Sequence, residues 1–207
     1  KTLESEKKTF AGSELAGKTL GVVGLGAIGS MVADAALALG MKVVGFDPAL
    51  SVDSAWKLSS EIQKMENLAS LVSRSDYITL HVPAIEATKN LINEDVLKSA
   101  KETAVILNFA RDAIVDSKAV VEALKNDKLG LYVTDFPDPS MIDNQKILPM
   151  PHIGASTKEA EENCAIMATD QLKDFLENGN IKNSVNFPAI SLARETACRI
   201  TFSNENK

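Results

Sequence analysis

Six short apolar runs, rich in β-branched residues, recur along the chain: TLGVVG (19–24), KVVGF (42–46), YITLHV (77–82), AVILNF (104–109), LYVTDF (131–136) and KILPM (146–150). Strands with one wet face alternate apolar and polar residues. Most of these runs are unbroken, which predicts strands buried on both faces, as in a parallel sheet. Polar residues return with helical spacing over 27–39, 66–73, 94–101 and 117–127. SVDSAWKLS (51–59) predicts a further short helix and EIQKM (61–65) a weak edge strand. Strand and helix patterns that alternate in this way predict an α/β fold, a doubly wound parallel sheet with helices on both faces.

The longest helix is expected over about 157–177. Ser156 and Glu159 have the spacing of a capping box, and NGN (178–180) ends the pattern. Cys164, Met167, Ala168, Gln171, Leu172, Phe175 and Leu176 fall on one face and are expected to be core. The two ends fit the sheet pattern poorly. Residues 1–17 are a polar lead-in, 18–188 form the main domain, and CRITFSN (198–204), within 189–207, reads as the first strand of something further.

Composition narrows the function classes. The net charge of −6 offers nothing to attract a polyanion, so nucleic acid is not expected as a partner. No apolar run reaches the roughly 18 residues of a membrane span, so no membrane partner is expected. KTLESEKK lacks the apolar stretch of a signal peptide, and Cys164 and Cys198 stand in no paired motif. A cytoplasmic protein is the resulting expectation.

GLGAIG (24–29) matches G-x-G-x-x-G and lies directly after a predicted strand and at the start of a predicted helix. In that setting Gly24 makes the tight turn, Gly26 lets backbone approach a pyrophosphate, and Gly29 allows close helix–strand packing, with Ala27 and Ile28 opening the helix. The helix N-terminus offers free N–H groups to the phosphates. Asp47, 18 residues past Gly29 at the end of the second strand, is placed to accept the ribose hydroxyls and to repel a 2′-phosphate. NAD is therefore favoured over NADP, on a Rossmann-type sheet.

Ligands of such sheets bind beyond the carboxyl ends of the strands. The polar residues there are His81 (with Pro83), Asn108, Arg111, Asp135 and His152. Arg111 suits a two-pronged grip on a carboxylate, and His152 suits proton transfer as a hydride leaves a carbinol carbon. A loop ion pair with Asp112 is the plainer role for Arg111, and a mainly structural or cofactor-lining role is preferred for His81.

Several stretches together resemble the D-isomer-specific 2-hydroxyacid dehydrogenase family: GKTLGVVGLGAIGSMVADAALALGMKVVGFDP, SDYITLHVP, ATKNLIN, LNFARDAIVD, YVTDF and PMPHIGASTKEAEENCA. The resemblance implies oxidation of a small 2-hydroxy acid with NAD. It implies that Arg111 binds the substrate's carboxylate and carbonyl, that His152 is the general acid/base, and that Asp135 is the acid near the nicotinamide carboxamide. His81, Pro83, Thr88, Asn108, Ala110, Gly154 and Ala155 match segments that line the cofactor cleft. Family members are commonly dimers through this domain, so a homodimer is expected.

Two departures stand out. The family usually continues DVF-x-x-E-P, whose glutamate bonds the catalytic histidine, whereas this chain reads DFPDPSMIDN. Asp138 is the nearest substitute and Asp143 a second candidate. ARD replaces the commoner SRG, which puts Asp112 beside Arg111. The family's substrate domain, about a hundred residues, would precede a hinge resembling KKTFAGSELAGK, and the tail ENGNIKNSVNFP resembles members that continue into a small regulatory ACT domain. This chain alone is therefore expected to bind NAD but to turn over little. Other 2-hydroxy acids (lactate, glycerate, hydroxypyruvate) and an NADH-sensing corepressor are the alternatives.

Overall fold

A computed structural model describes residues 11–141, 143–200, 202 and 204. The chain divides into two compact units, Lys1–His152 and Ile153–Lys207. In the first, the elements run β1 (Thr19–Val23), α1 (Ala27–Ala38), β2 (Lys42–Phe46), α2 (Val52–Ala55), β3 (Gln63–Lys64), α3 (Leu68–Arg74), β4 (Tyr77–Leu80), α4 (Glu94–Leu97), β5 (Val105–Asn108), α5 (Ser117–Lys125), β6 (Leu131–Thr134) and β7 (Ile147–Pro149). All strands expected for the sheet are present, and the weak edge strand is two residues long.

The strands form one sheet in the order β3-β2-β1-β4-β5-β6-β7, and every pairing is parallel. The order reverses between β1 and β4, and a crevice for a ligand opens at that kind of reversal. Alternate residues of each strand supply two apolar cores. Leu20, Val22 and Val43 pack with Ala33 and Ala36 of α1. Val23, Val44, Ile78, Leu80, Ile106 and Tyr132 pack with α3, α4 and α5 through residues such as Leu71, Leu97 and Leu124. Since successive strand residues point to opposite faces, helices cover both sides. The doubly wound Rossmann-type fold is confirmed.

At the amino end of the sheet, Asp76 accepts from Thr19 N–H at 2.8 Å and from Lys101 Nζ at 2.8 Å. Burial alone would raise its carboxyl, but the bonds to Lys101 and Thr19 and the charge of Lys101 outweigh that and leave it below the usual carboxylate range. The pair ties the start of β1 to the start of β4.

The second unit is built on α6 (Lys158–Asn178). The helix begins one residue later than expected. Thr157, not Ser156, is the cap, and its Oγ1 accepts from Ala160 N–H at 3.1 Å. Gly179 ends the helix at φ 70°, where a side chain would be strained. Arg194 and Arg199 then donate to the carbonyls of Glu177 and Asn178, each at 2.6 Å, neutralising the negative end of the helix. Lys182, with the amides of Asn178 and Asn180, holds the Asp174 carboxyl down to about 2.

The stripe expected to be core is not buried. No residue of α6 is buried, and Met167, Leu172, Phe175 and Leu176 are all exposed. Helical spacing identifies an apolar face but does not supply its cover. Within this unit the tail offers little, since Val185 and Leu192 are themselves exposed. Residues 198–200 form no strand, and the rest of the expected strand falls largely outside the described residues.

The cap assignment has a direct test. Thr157→Ala should loosen the first turn of α6 by about 1 kcal/mol, read as faster hydrogen exchange of its amides. Ser156→Ala should leave that exchange unchanged, and the reverse ranking would restore Ser156 as the cap.

Candidate functional site

The glycine loop is shaped by contacts that exclude side chains. Gly24 has φ +90°, and a Cβ there would meet the His81 carbonyl oxygen at 2.5 Å. A Cβ on Gly29 would collide with the Gly24 carbonyl, so α1 packs against the turn only with glycine at this position. Gly26 differs: a Cβ there would meet nothing within 4 Å. That open space, above a helix start with no side-chain cap and no acid in its first turn, suits a pyrophosphate.

Asp47 lies just past β2 and reaches back to this loop. Its Oδ2 accepts from Leu25 N–H at 2.9 Å and its Oδ1 from Ala49 N–H at 2.9 Å. Each carboxylate oxygen can accept twice, so capacity remains for ribose hydroxyls. Across the crevice, His81 Nε2 lies 2.9 Å from Thr79 Oγ1, and burial pushes the imidazole below its ordinary value. A neutral His81 suits a cofactor wall better than proton transfer. Thr88 closes the next loop, donating to Pro83 O at 2.5 Å and accepting from Ile85 N–H at 3.0 Å.

A second cluster sits at the carboxyl ends of β5, β6 and β7. Asn108 pairs with Thr134, and Thr134 with Pro149, so these strands end side by side. The next few residues of each chain segment carry Arg111, Asp135 and His152. His152 Nδ1 lies 2.8 Å from Asp135 Oδ2. A carboxylate only accepts, so Nδ1 carries a proton, and in the neutral ring Nε2 is the nitrogen that keeps a lone pair. The Asp135 side chain is 9% exposed and that of His152 49%, which leaves the histidine accessible while its partner is sheltered.

This pairing corrects the expectation for Asp138. Asp138 Oδ1 instead accepts from Ser140 N–H at 2.8 Å and from Ser140 Oγ at 2.6 Å. Those bonds hold its carboxyl below the usual range, and it lines an open groove of about 690 Å³ with Asp112 and Lys118. Asp143 lines a different groove with Lys146 and Ser140.

The other oxygen of Asp135, Oδ1, is buried and has no hydrogen-bond partner among the described residues. A buried, unsatisfied acceptor costs about 1–3 kcal/mol. The atom therefore fits a donor supplied by a bound molecule, such as the amide of a nicotinamide.

Arg111 is exposed and turned onto its own backbone, with Nη1 donating to Ala110 O at 2.6 Å. The loop that carries it is anchored from below. Asn108, fully buried, donates through Nδ2 to Arg111 O at 2.9 Å and to the Tyr132 hydroxyl at 3.2 Å, while its Oδ1 accepts from Ala110 N–H at 3.1 Å. With those bonds made, the Asn108 side chain organises the loop rather than facing the cleft. Burial raises the Tyr132 phenol above its ordinary value, so it stays neutral.

Tyr132, Thr134 and Phe136 do not figure among the residues singled out from sequence. Their signal is the period-two spacing along β6, which puts Tyr132 and Thr134 on one face beside Asn108. Gly154 and Ala155 fall in the second unit, in the turn before α6, with Ala155 at φ 56°.

These features agree with comparisons to known proteins. Residues 1–157 match the family model described as "D-isomer specific 2-hydroxyacid dehydrogenase, NAD binding domain". The chain belongs to this family. The D-3-phosphoglycerate dehydrogenase of Methanocaldococcus jannaschii is 37% identical over 193 residues, which cover 90% of this chain and 36% of that protein. The Haemophilus influenzae protein of the same name is 36% identical over 213 residues, covering 97% of this chain and 51% of that one. A D-lactate dehydrogenase from Aquifex aeolicus, solved with NAD and lactic acid, superposes with a TM-score of 0.67 at 27% identity, over 85% of this chain and 61% of that one. The chain thus spans about a third to a half of the length of the curated relatives it matches. NAD is the cofactor of this domain family, and Gly26, Asp47 and the free oxygen of Asp135 fit it.

The open space at Gly26 gives a clean test of the cofactor cradle. Gly26 has φ −70°, so a side chain costs no backbone strain. Gly26→Val should leave the melting temperature nearly unchanged and weaken NADH by at least about tenfold (about 1.4 kcal/mol), measured by NADH fluorescence. Unchanged affinity would remove the pyrophosphate from this position.

Proposed function

We propose that this chain is the NAD-binding domain of a D-3-phosphoglycerate dehydrogenase, which oxidises 3-phosphoglycerate to 3-phosphohydroxypyruvate in serine biosynthesis. In this reading 18–188 is the cofactor domain, 1–17 the hinge from a substrate domain, and 189–207 the lead into a regulatory one. The protein is cytoplasmic and pairs as a homodimer through this domain. The observation that carries the catalytic part is the Asp135–His152 hydrogen bond of 2.8 Å at the strand ends that also present Arg111. The substrate assignment draws on the relatives' names.

The chemistry follows from what each group can do. Arg111 swings off the Ala110 carbonyl to hold the substrate carboxylate through its guanidinium fork. His152, with Nδ1–H committed to Asp135, presents Nε2 to the C2 hydroxyl and takes its proton. NAD held by Gly26, Asp47 and the Asp135 Oδ1 would supply the acceptor for the C2 hydride. The C2–O bond becomes a carbonyl, and the new imidazolium is balanced by the Asp135 carboxylate. In reverse, the same imidazolium returns the proton to a 2-keto acid.

Two measurements test this on the whole protein. With NADH it should reduce phosphohydroxypyruvate in preference to pyruvate, glyoxylate or unphosphorylated hydroxypyruvate. Activity only with unphosphorylated acids would assign another substrate, and NADH binding without turnover of any of them would favour a sensor. Asp135→Asn should lower kcat/KM by at least about a hundredfold, whereas Asp138→Asn should leave it unchanged. Equal losses would return Asp138 to the site.

A further inference from the structure

Phe136 follows Asp135 and touches both of the groups assigned to substrate chemistry. Its ring centroid lies 4.4 Å from that of His152, with the planes tilted by 40°. The Arg111 guanidinium carbon lies 5.7 Å from the same centroid. Phe136 is itself held, because its backbone N–H donates to the buried Thr134 hydroxyl at 3.0 Å.

We propose that Phe136 is a positioning residue that sets the orientation of His152 and its spacing from Arg111, and so matches the site to an acid whose carboxylate adjoins the reacting carbon. This rests on the roles given above to Arg111 and His152. The physical case begins with what one hydrogen bond leaves free. The Asp135 bond fixes the Nδ1 edge of a half-exposed imidazole, yet the ring can still turn about that bond. A contact on the ring itself, from a different direction, removes that freedom. Functional side chains keep their geometry when packing and hydrogen bonding both restrain them.

The ring's charge distribution supports the same role. Arg111 is always cationic, and His152 becomes cationic when it takes the substrate proton. An aromatic face attracts a cation within about 6 Å. One neutral ring therefore steadies both groups, where an acid in its place would neutralise Arg111 and compete with the substrate carboxylate. The substrate's carboxylate and hydroxyl lie on neighbouring carbons, so the two protein groups must converge within one small molecule. A displacement near 1 Å at such a site costs about a hundredfold in rate.

The test compares Phe136→Leu with Phe136→Tyr in the whole protein, alongside NADH affinity and the imidazole Cε1–H signals, assigned with His152→Gln. Phe136→Leu should lower kcat/KM for the 2-keto acid by about a hundredfold, with kcat falling and KM rising together and NADH affinity unchanged. The His152 signal should lose the ring-current displacement that an aromatic face imposes, while the His81 signal stays put. Phe136→Tyr should restore both the kinetics and the signal. The proposal is overturned if Phe136→Leu keeps wild-type kinetics, if the His152 signal does not move, or if activity falls only in step with NADH affinity and thermal stability. A wild-type protein inert towards every 2-keto acid would sink the dehydrogenase reading, and the histidine signal would still decide whether Phe136 orients His152.

Discussion

The bond between His152 Nδ1 and Asp135 Oδ2 is the constraint around which the rest of the site is arranged. It requires β6 and β7 to end in register, which their parallel pairing supplies, with Thr134 opposite Pro149. It requires a carboxylate to be sheltered from water, which is costly unless its charge is used. One oxygen of Asp135 meets that cost through His152. The other has no partner among the described residues, and it fits the need for a donor from the cofactor. In the proposed reading, cofactor and base meet on this one side chain, so a loss at Asp135 reaches both.

Beneath this pair lies a buried polar layer at the carboxyl ends of β5 and β6. Asn108, Tyr132 and Thr134 are all buried, and each makes bonds that serve the surface above. Asn108 pins the Arg111 loop through backbone, and Thr134 pins Phe136 in the same way. Buried polar groups are tolerable only when satisfied, and satisfied networks give rigidity and a unique arrangement. Here the rigidity goes to two loops whose side chains stay free to meet a ligand. Arg111 can leave the Ala110 carbonyl for a substrate carboxylate without its backbone shifting.

Much of this was legible in the sequence because the signals were local. Continuous apolar runs identified the strands, and the strand–glycine–helix succession with Asp47 identified the cofactor cradle. What escaped depends on register or on cover. Asp138 stands in the stretch where the family's glutamate is expected, yet Ser140 turns its carboxylate aside. Asp135 reaches His152, 17 residues further on in sequence, because β6 and β7 end side by side. The spacing along α6 marks an apolar face, but the expectation that it is core fails because burial depends on what packs against it. Tyr132 passed as one more apolar residue in a buried run. Its hydroxyl mattered only once Asn108 stood beside it on the next strand.

The same geometry bounds what this chain can discriminate. In the proposed reading, Arg111 grips a carboxylate and His152 serves the hydroxyl or carbonyl on the adjacent carbon. Those two features belong to every 2-hydroxy acid and its 2-keto partner. A site that reads only them treats lactate, glycerate and their phosphorylated relatives alike at the reacting carbon. Selectivity for a phosphate must come from a further contact to the third carbon, since discrimination needs a group the competing substrate lacks. On that reading, the orientation set by Asp135 and Phe136 governs how fast a bound acid reacts, and the choice among acids falls to groups outside the Arg111–His152 pair.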